Sequence, residues 1–262
     1  MKNKAILFAA LLSFALSLIH QKSFALGFEV GVGYWGQTPS GALAYKPASA
    51  TDKLDMKEDL KYDKEYRPFG RIKAELPLIL PNIYLIATPI KFEETGSKDT
   101  DFTFGDITFN GKQSFDTMLK LDHYDIALYY PIPLIKTATL GKLNMELGIN
   151  ARIIDFEAEV SGSEAITGNS ITESKKLTIT VPMIYAGVQI KPFDKFSIEA
   201  EGRGIAYSAN HYYDIIGRVK IKPVGPLFIA GGYRHEDIKI DVSDVEASVK
   251  FSGPFVEAGL DF

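Results

Sequence analysis

The chain is 262 residues long, contains no cysteine and carries a formal net charge of −4. Without cysteine there are no disulfides, thiolate metal sites, cysteine nucleophiles or thiol-linked lipid anchors. The acidic balance leaves no electrostatic footprint for nucleic acid.

Residues 1–25 read as a signal peptide. Lys2 and Lys4 form a positive start and Ala5 to Ile19 an uncharged apolar stretch; Ser23-Phe24-Ala25 then puts small residues where a signal peptidase reads, so cleavage after Ala25 is expected. The apolar stretch is shorter than the roughly 20 residues of a spanning helix. No later segment approaches one either, so residues 26–262, if membrane-embedded, must form a closed barrel that leaves no backbone group unpaired in lipid.

From residue 26 onward the chain alternates with period two. Leu26, Phe28, Val30, Val32 and Tyr34 oppose Gly27, Glu29, Gly31, Gly33 and Trp35. Ile72 and Ala74 oppose Arg71, Lys73 and Glu75, and Tyr124, Ile126, Leu128 and Tyr130 oppose His123, Asp125 and Tyr129. Met145, Leu147, Ile149 and Ala151 oppose Asn144, Glu146, Asn150 and Arg152. Ile198 and Ala200 oppose Glu199, Glu201 and Arg203, then Tyr213, Ile215 and Val219 oppose Asp214, Arg218 and Lys220. Such alternation predicts strands with one apolar and one polar face.

The strands are expected near 26–35, 66–76, 82–92, 115–130, 143–159, 175–190, 195–207, 212–222, 226–241 and 246–262. Compact, proline-marked connections alternate with polar ones, the first three of them long: Gly36 to Glu65, Phe92 to Ser114 and Val160 to Ser174. This is the pattern of an all-β, transmembrane, antiparallel up-and-down barrel with about ten tilted strands, or eight if one hairpin is misread. Past Ile153 and past Pro182 the apolar set changes parity, which fits either β-bulges or strands that continue beyond the membrane. Outward aromatics are expected in two belts, Tyr84, Tyr130, Phe196 and Phe262 at the inner level and Tyr34, Tyr66, Phe92, Tyr124, Tyr213 and Tyr233 at the outer. Leu54, Met56 and Leu60 suggest a short amphipathic helix in the first long loop.

The last strand alternates up to Phe262, the pattern of a closing strand that the barrel insertion machinery reads as its assembly signal. Together with Tyr34-Trp35-Gly36-Gln37-Thr38-Pro39-Ser40-Gly41 and Gly231-Gly232-Tyr233-Arg234, it makes the chain resemble a family of small, uncharacterised Gram-negative outer-membrane barrel proteins. The resemblance implies location and fold and brings no activity and no catalytic residues. The partners expected of such a protein are outer-membrane lipid, lipopolysaccharide and the insertion machinery, with small solutes passing through it as an open alternative.

The polar faces put Glu29, Arg71, Lys73, Glu75, Asp125, Glu146, Arg152, Glu199, Glu201, Arg203, Asp214, Arg218, Lys220, Arg234, Glu236 and Glu257 in the lumen. Buried charge persists only when paired, so an interlocked network is expected that either plugs the barrel or lines a narrow, gated path. Gly31 to Gly36 matches a dinucleotide fingerprint by letter but lies inside a strand with no helix after it. Gly105 to Lys112 fails as a phosphate loop, since Gln113 stands where Ser or Thr is needed. No cofactor or metal is expected. Asp99-Thr100-Asp101 and the stretch from Asp52 to Glu65 lack the remaining ligands of a calcium loop and read as a solvated face.

The rival reading is an outer-membrane hydrolase of protease or lipid-modifying type. Ten-stranded outer-membrane proteases use His and Asp near the outer rim, so His211 with Asp214 is the pair of interest, joined by Asp101 and His235; His123 beside Asp125 is a further acid–base half. Such a site requires these groups to converge.

Overall fold

The computed structural model describes residues 27–77, 79–242 and 244–262; Ala25 and the segment read as a signal peptide lie outside the described residues. The strands are β1 (Gly27–Tyr45), β2 (Leu54–Asp55), β3 (Glu65–Glu75), β4 (Asn82–Thr88), β5 (Lys91–Gly96), β6 (Phe102–Phe104), β7 (Ile107–Phe109), β8 (Phe115–Pro131), β9 (Leu143–Ser163), β10 (Ser170–Phe193), β11 (Phe196–Tyr207), β12 (Asn210–Ile221), β13 (Leu227–Val242) and β14 (Val245–Asp261). β4 and β5 are two halves of one stave, parted at Pro89-Ile90 and both paired to β8. Sequential antiparallel pairing then gives ten staves. β14 returns to β1 from Glu29↔Asp261 to Tyr45↔Val245 and closes the ring.

Short connections gather at one end, here the turn end, where a single helical turn, α1 (Ile135–Ala138), joins β8 to β9. The other is the loop end. Outward side chains near the turn end are apolar: Leu147, Ile149, Ile215, Ile229 and Val256 are each more than half exposed. Tyr34, Tyr66, Tyr124, Tyr213 and Tyr233 ring the loop-side margin of this band, and Tyr130 and Phe262 stand exposed at the turn side. An apolar belt between two aromatic margins is the surface that the hydrocarbon core of a membrane accommodates.

Tyr84 and Phe92 do not join those belts. β4 is apolar on both faces, so alternation carries no direction there; Tyr84 faces inward with Asn82 and Ile86, fully buried. Phe92 is likewise inside, stacked between Tyr62 and Phe251 at centroid distances of 5.4 and 5.8 Å.

The change of parity at Ile153 and Pro182 has a simple origin. β9 and β10 stay in register without interruption through Ile153↔Thr180 and Ala151↔Pro182, so no bulge flips the faces. What changes is the surroundings. Toward the turn end Asn150 and Arg152 point in and Ile149 and Ala151 out; toward the loop end Ile154, Phe156, Ala158 and Val160 point in, and Asp155, Glu157 and Glu159 point out. The strands run past the lipid band into water, where an apolar interior and a charged exterior are favoured. Outward ion pairs Lys120–Asp155 at 2.5 Å and Lys176–Glu157 at 2.7 Å mark this upper zone. The one register shift of β10 against β11 lies at the turn end, between Ile190 and Phe193.

The long loops fold over the apolar upper interior. The stretch around Leu54, Met56 and Leu60 is not a helix: β2 pairs with Ala42 and Leu43, a turn follows, and all three side chains are buried. The β6–β7 hairpin adds Phe102, Phe104 and Phe109 to the same core. Asp52 ties the two loops together, accepting from the backbone N–H groups of Ala48, Ser49 and Thr103 at 2.7–2.8 Å. Burial of this carboxyl works against its ionisation, and these donors outweigh it, holding the group below the ordinary Asp range.

Candidate functional site

The lumen inside the apolar band is filled by charge, and the register of the sheet builds it. Asp125 stands opposite Arg152, Glu199 opposite Arg218, and Arg203 opposite Asp214 on neighbouring strands, the close spacing at which cross-strand charges interact. Three tiers follow from the turn end upward.

In the lowest tier Lys220 reaches Glu29 and Glu199 at 3.0 Å and Asp261 at 3.2 Å. Glu199 also accepts from Ser197 Oγ and Gln189 Nε2. In the middle tier Arg71 bridges Glu29 and Glu257, the latter at 2.5 Å. Arg218 meets Glu201 at 3.0 Å and Lys73 meets Glu146 at 3.1 Å. Tyr185 donates to Glu146, and Tyr84 to Glu201. The Arg203 guanidinium pairs with Glu201 at 3.2 Å and lies 4.9 and 5.2 Å from the Tyr84 and Tyr185 rings, whose faces substitute for missing acceptors.

The upper tier is the tightest. Arg152 forks onto Asp125 at 2.9 and 2.8 Å and extends to Asp214 at 2.5 Å. Arg234 forks onto Asp214 at 3.0 and 2.8 Å and touches Glu236 at 2.6 Å. His123 Nε2 lies 3.3 Å from Glu236, whose other oxygen accepts from Tyr212 at 2.9 Å. The guanidiniums of Arg234 and Arg152 lie against Trp35 and Tyr212, respectively. The side chains of Arg152, Asp125, Asp214 and Glu236 are 0% exposed. Bidentate guanidinium–carboxylate contacts of this kind fix geometry as well as charge.

Fifteen of the sixteen charged residues read into the lumen take part in these contacts. Glu75 is the exception, exposed at the turn end. Trp35 and Tyr129 lie on the inward face that alternation gives them, whereas Tyr84, Tyr185 and Tyr212 are network partners that alternation alone does not reveal, because an aromatic ring suits either face. The glycines of β1 have a packing role: a Cβ at Gly31 would lie 2.0 Å from Glu257 Oε1, so the small residue makes room for the carboxylate. A void of ≈ 10 Å³ beside Trp35, Arg71, Tyr84 and Arg234 has room for about one water.

The groups of the rival hydrolase site do not converge. His211 and Asp214 lie on opposite faces of β12; His211 points outward and contacts Asp237 at 3.2 Å, whereas Asp214 is sealed in the upper tier. His235 faces outward to Ser252, and Asp101 accepts from the Gly111 N–H in the loop. His123 is inside the plug, held by Glu236 and Arg234. Among the described residues no cluster of three or more His, Asp or Glu is arranged to hold a metal.

No family model and no curated protein matches the chain. Solved structures similar to it include the outer-membrane protease OmpT from Escherichia coli, at 12% identity and TM-score 0.47, covering 93% of this chain and 99% of that one. The translocator domain of the autotransporter NalP from Neisseria meningitidis matches at 10% identity and TM-score 0.46, over 99% of this chain and 96% of that one. Ail, the attachment invasion locus protein of Yersinia pestis, matches at 13% identity and TM-score 0.32, over 91% and 100%. The pairing of its strands makes the chain an all-β, closed antiparallel barrel of ten staves.

Proposed function

We propose that the chain is a non-enzymatic integral protein of the Gram-negative outer membrane: a sealed structural barrel that carries a folded cap on the cell surface, with its turn end in the periplasm. The observation that carries this reading is the tiered network spanning the lumen, in which each carboxylate of the upper tier is held by more than one side chain. Moving a solute through it would break several desolvated ion pairs at once, and removing one partner from such a pair costs about 3–5 kcal/mol. A narrow or gated passage is therefore disfavoured against a plug. Outer-membrane lipid and lipopolysaccharide would surround the apolar band, and the insertion machinery would act on β14 and Phe262.

Two measurements test the proposal. Cell fractionation with detergent gels of unheated and boiled samples should recover a heat-modifiable outer-membrane protein; a soluble periplasmic protein would refute the location. In planar bilayers the purified protein should be silent. Stable, ion-selective steps that change with Arg218→Ala would refute the plug.

A further inference from the structure

Above the network the barrel wall is incomplete on one side. β10 pairs with β11 only from Ile184↔Gly204 toward the turn end, although β10 continues along β9 up to Ser170. Hairpin length is the cause: β11 and β12 turn over at Ser208-Ala209, with Ser208 at positive φ, while β9 and β10 rise to residues 164–169.

Beside the unpaired edge lies a cavity of ≈ 200 Å³, with Leu177, Ile179 and Val181 of β10 on one side and Ile205 and Tyr207 of β11 on the other. Tyr207 is 81% exposed and marks the mouth. Tyr212 also lines the cavity, and its hydroxyl is already engaged by Glu236 of the plug. Among the described residues, no lining side chain carries a buried polar atom without a partner.

A buried water needs two to four polar partners, whereas an apolar cavity of about 150 Å³ stays dry and accepts a benzene-sized molecule. The edge itself is poorly suited to an added strand: Pro182 cannot donate a backbone hydrogen bond, and Lys175 and Lys176 stand along it, both devices that discourage pairing. What remains is an opening into an apolar chamber just above the tyrosine belt.

We propose that this chamber binds an uncharged hydrocarbon group, one ring or a short chain in size, which enters between β10 and β11 from the loop end. The group is either a free hydrocarbon or the tail of an amphiphile. The site lies above the plug, so the proposal stands whether or not the lumen conducts.

The absence of native cysteine makes single-cysteine chemistry clean. Ile179→Cys and Val181→Cys, each in the full chain in liposomes, should react with N-ethylmaleimide and much more slowly with a cationic methanethiosulfonate. Saturating toluene or octanoate should slow the maleimide reaction about tenfold or more, as occupancy of the site requires. Protection by toluene alone assigns a free hydrocarbon; protection by octanoate alone assigns an acyl tail. Asp237→Cys, on the outer face, should react with both reagents and be protected by neither ligand. The proposal is overturned if neither ligand protects, if the cationic reagent reacts as fast as the neutral one, or if neither cavity cysteine reacts in heat-modifiable, folded protein.

Discussion

Arg152→Met should lower the stability of the folded barrel by about 3–5 kcal/mol, the cost of leaving buried carboxylates without their cation. Arg152 alone forks onto Asp125, and it shares Asp214 with Arg234. Methionine fills much of the same volume, so cavity formation contributes little and the loss is electrostatic. The folded fraction, read as the heat-modifiable band through a urea series, should shift to lower urea. Adding Asp125→Leu should recover part of the loss, since removing both partners of a buried pair is far milder than removing one. A single variant within about 1 kcal/mol of the parent, or a double variant no better than the single, would contradict the network as described.

Gly253→Val should block closure of the barrel. β14 meets β1 at a place where the ladder is interrupted: Trp35↔Phe255 and Thr38↔Ser252 pair, while Gly36-Gln37 and Gly253-Pro254 between them do not. There the two backbones approach so closely that a Cβ on Gly253 would lie 1.7 Å from the Gly36 carbonyl oxygen. The Trp35 indole N–H donates to the Gly253 carbonyl at 3.2 Å and anchors the seam. A backbone collision has no rotamer escape, so the cost exceeds the about 1–3 kcal/mol of ordinary overpacking, and folded protein should fall at least about tenfold. Gly202→Ala, whose added Cβ meets nothing within 4 Å, should assemble normally. Equal recovery of the two variants would show that the seam tolerates separation.

Much of this architecture is legible in the amino-acid order, and the exceptions share one cause. Where a strand separates lipid from a polar lumen, as in Tyr124 to Tyr130 or Ile198 to Arg203, alternation names both the strand and its inward face. Where both faces are apolar, as around Tyr84, or where an aromatic ring serves either side, as with Phe92, direction is set by contacts distant in sequence. The parity change in β9 and β10 looks like a structural irregularity but records a change of solvent along a straight strand. Loop residues Leu54, Met56 and Leu60 have helical spacing because they share one buried face of a turn that packs on β1. The cavity is not legible at all: it exists because one hairpin is shorter than its neighbour, and no local pattern encodes that difference.

A cysteine scan of β9 from Met145 to Val160, probed in membranes with a charged thiol reagent, tests the central claim of one unbroken strand phase around a sealed lumen. Labelling is expected at Asp155, Glu157 and Glu159, which face water above the belt. None is expected at Leu147, Ile149 and Ala151, which face lipid, at Asn150 and Arg152, which face the filled lumen, or at Ile154 and Phe156, which line the apolar cavity that excludes a charged reagent. Labelling at Arg152, Ile154 or Phe156, or a reversal of the alternation beyond Ile153, would contradict it.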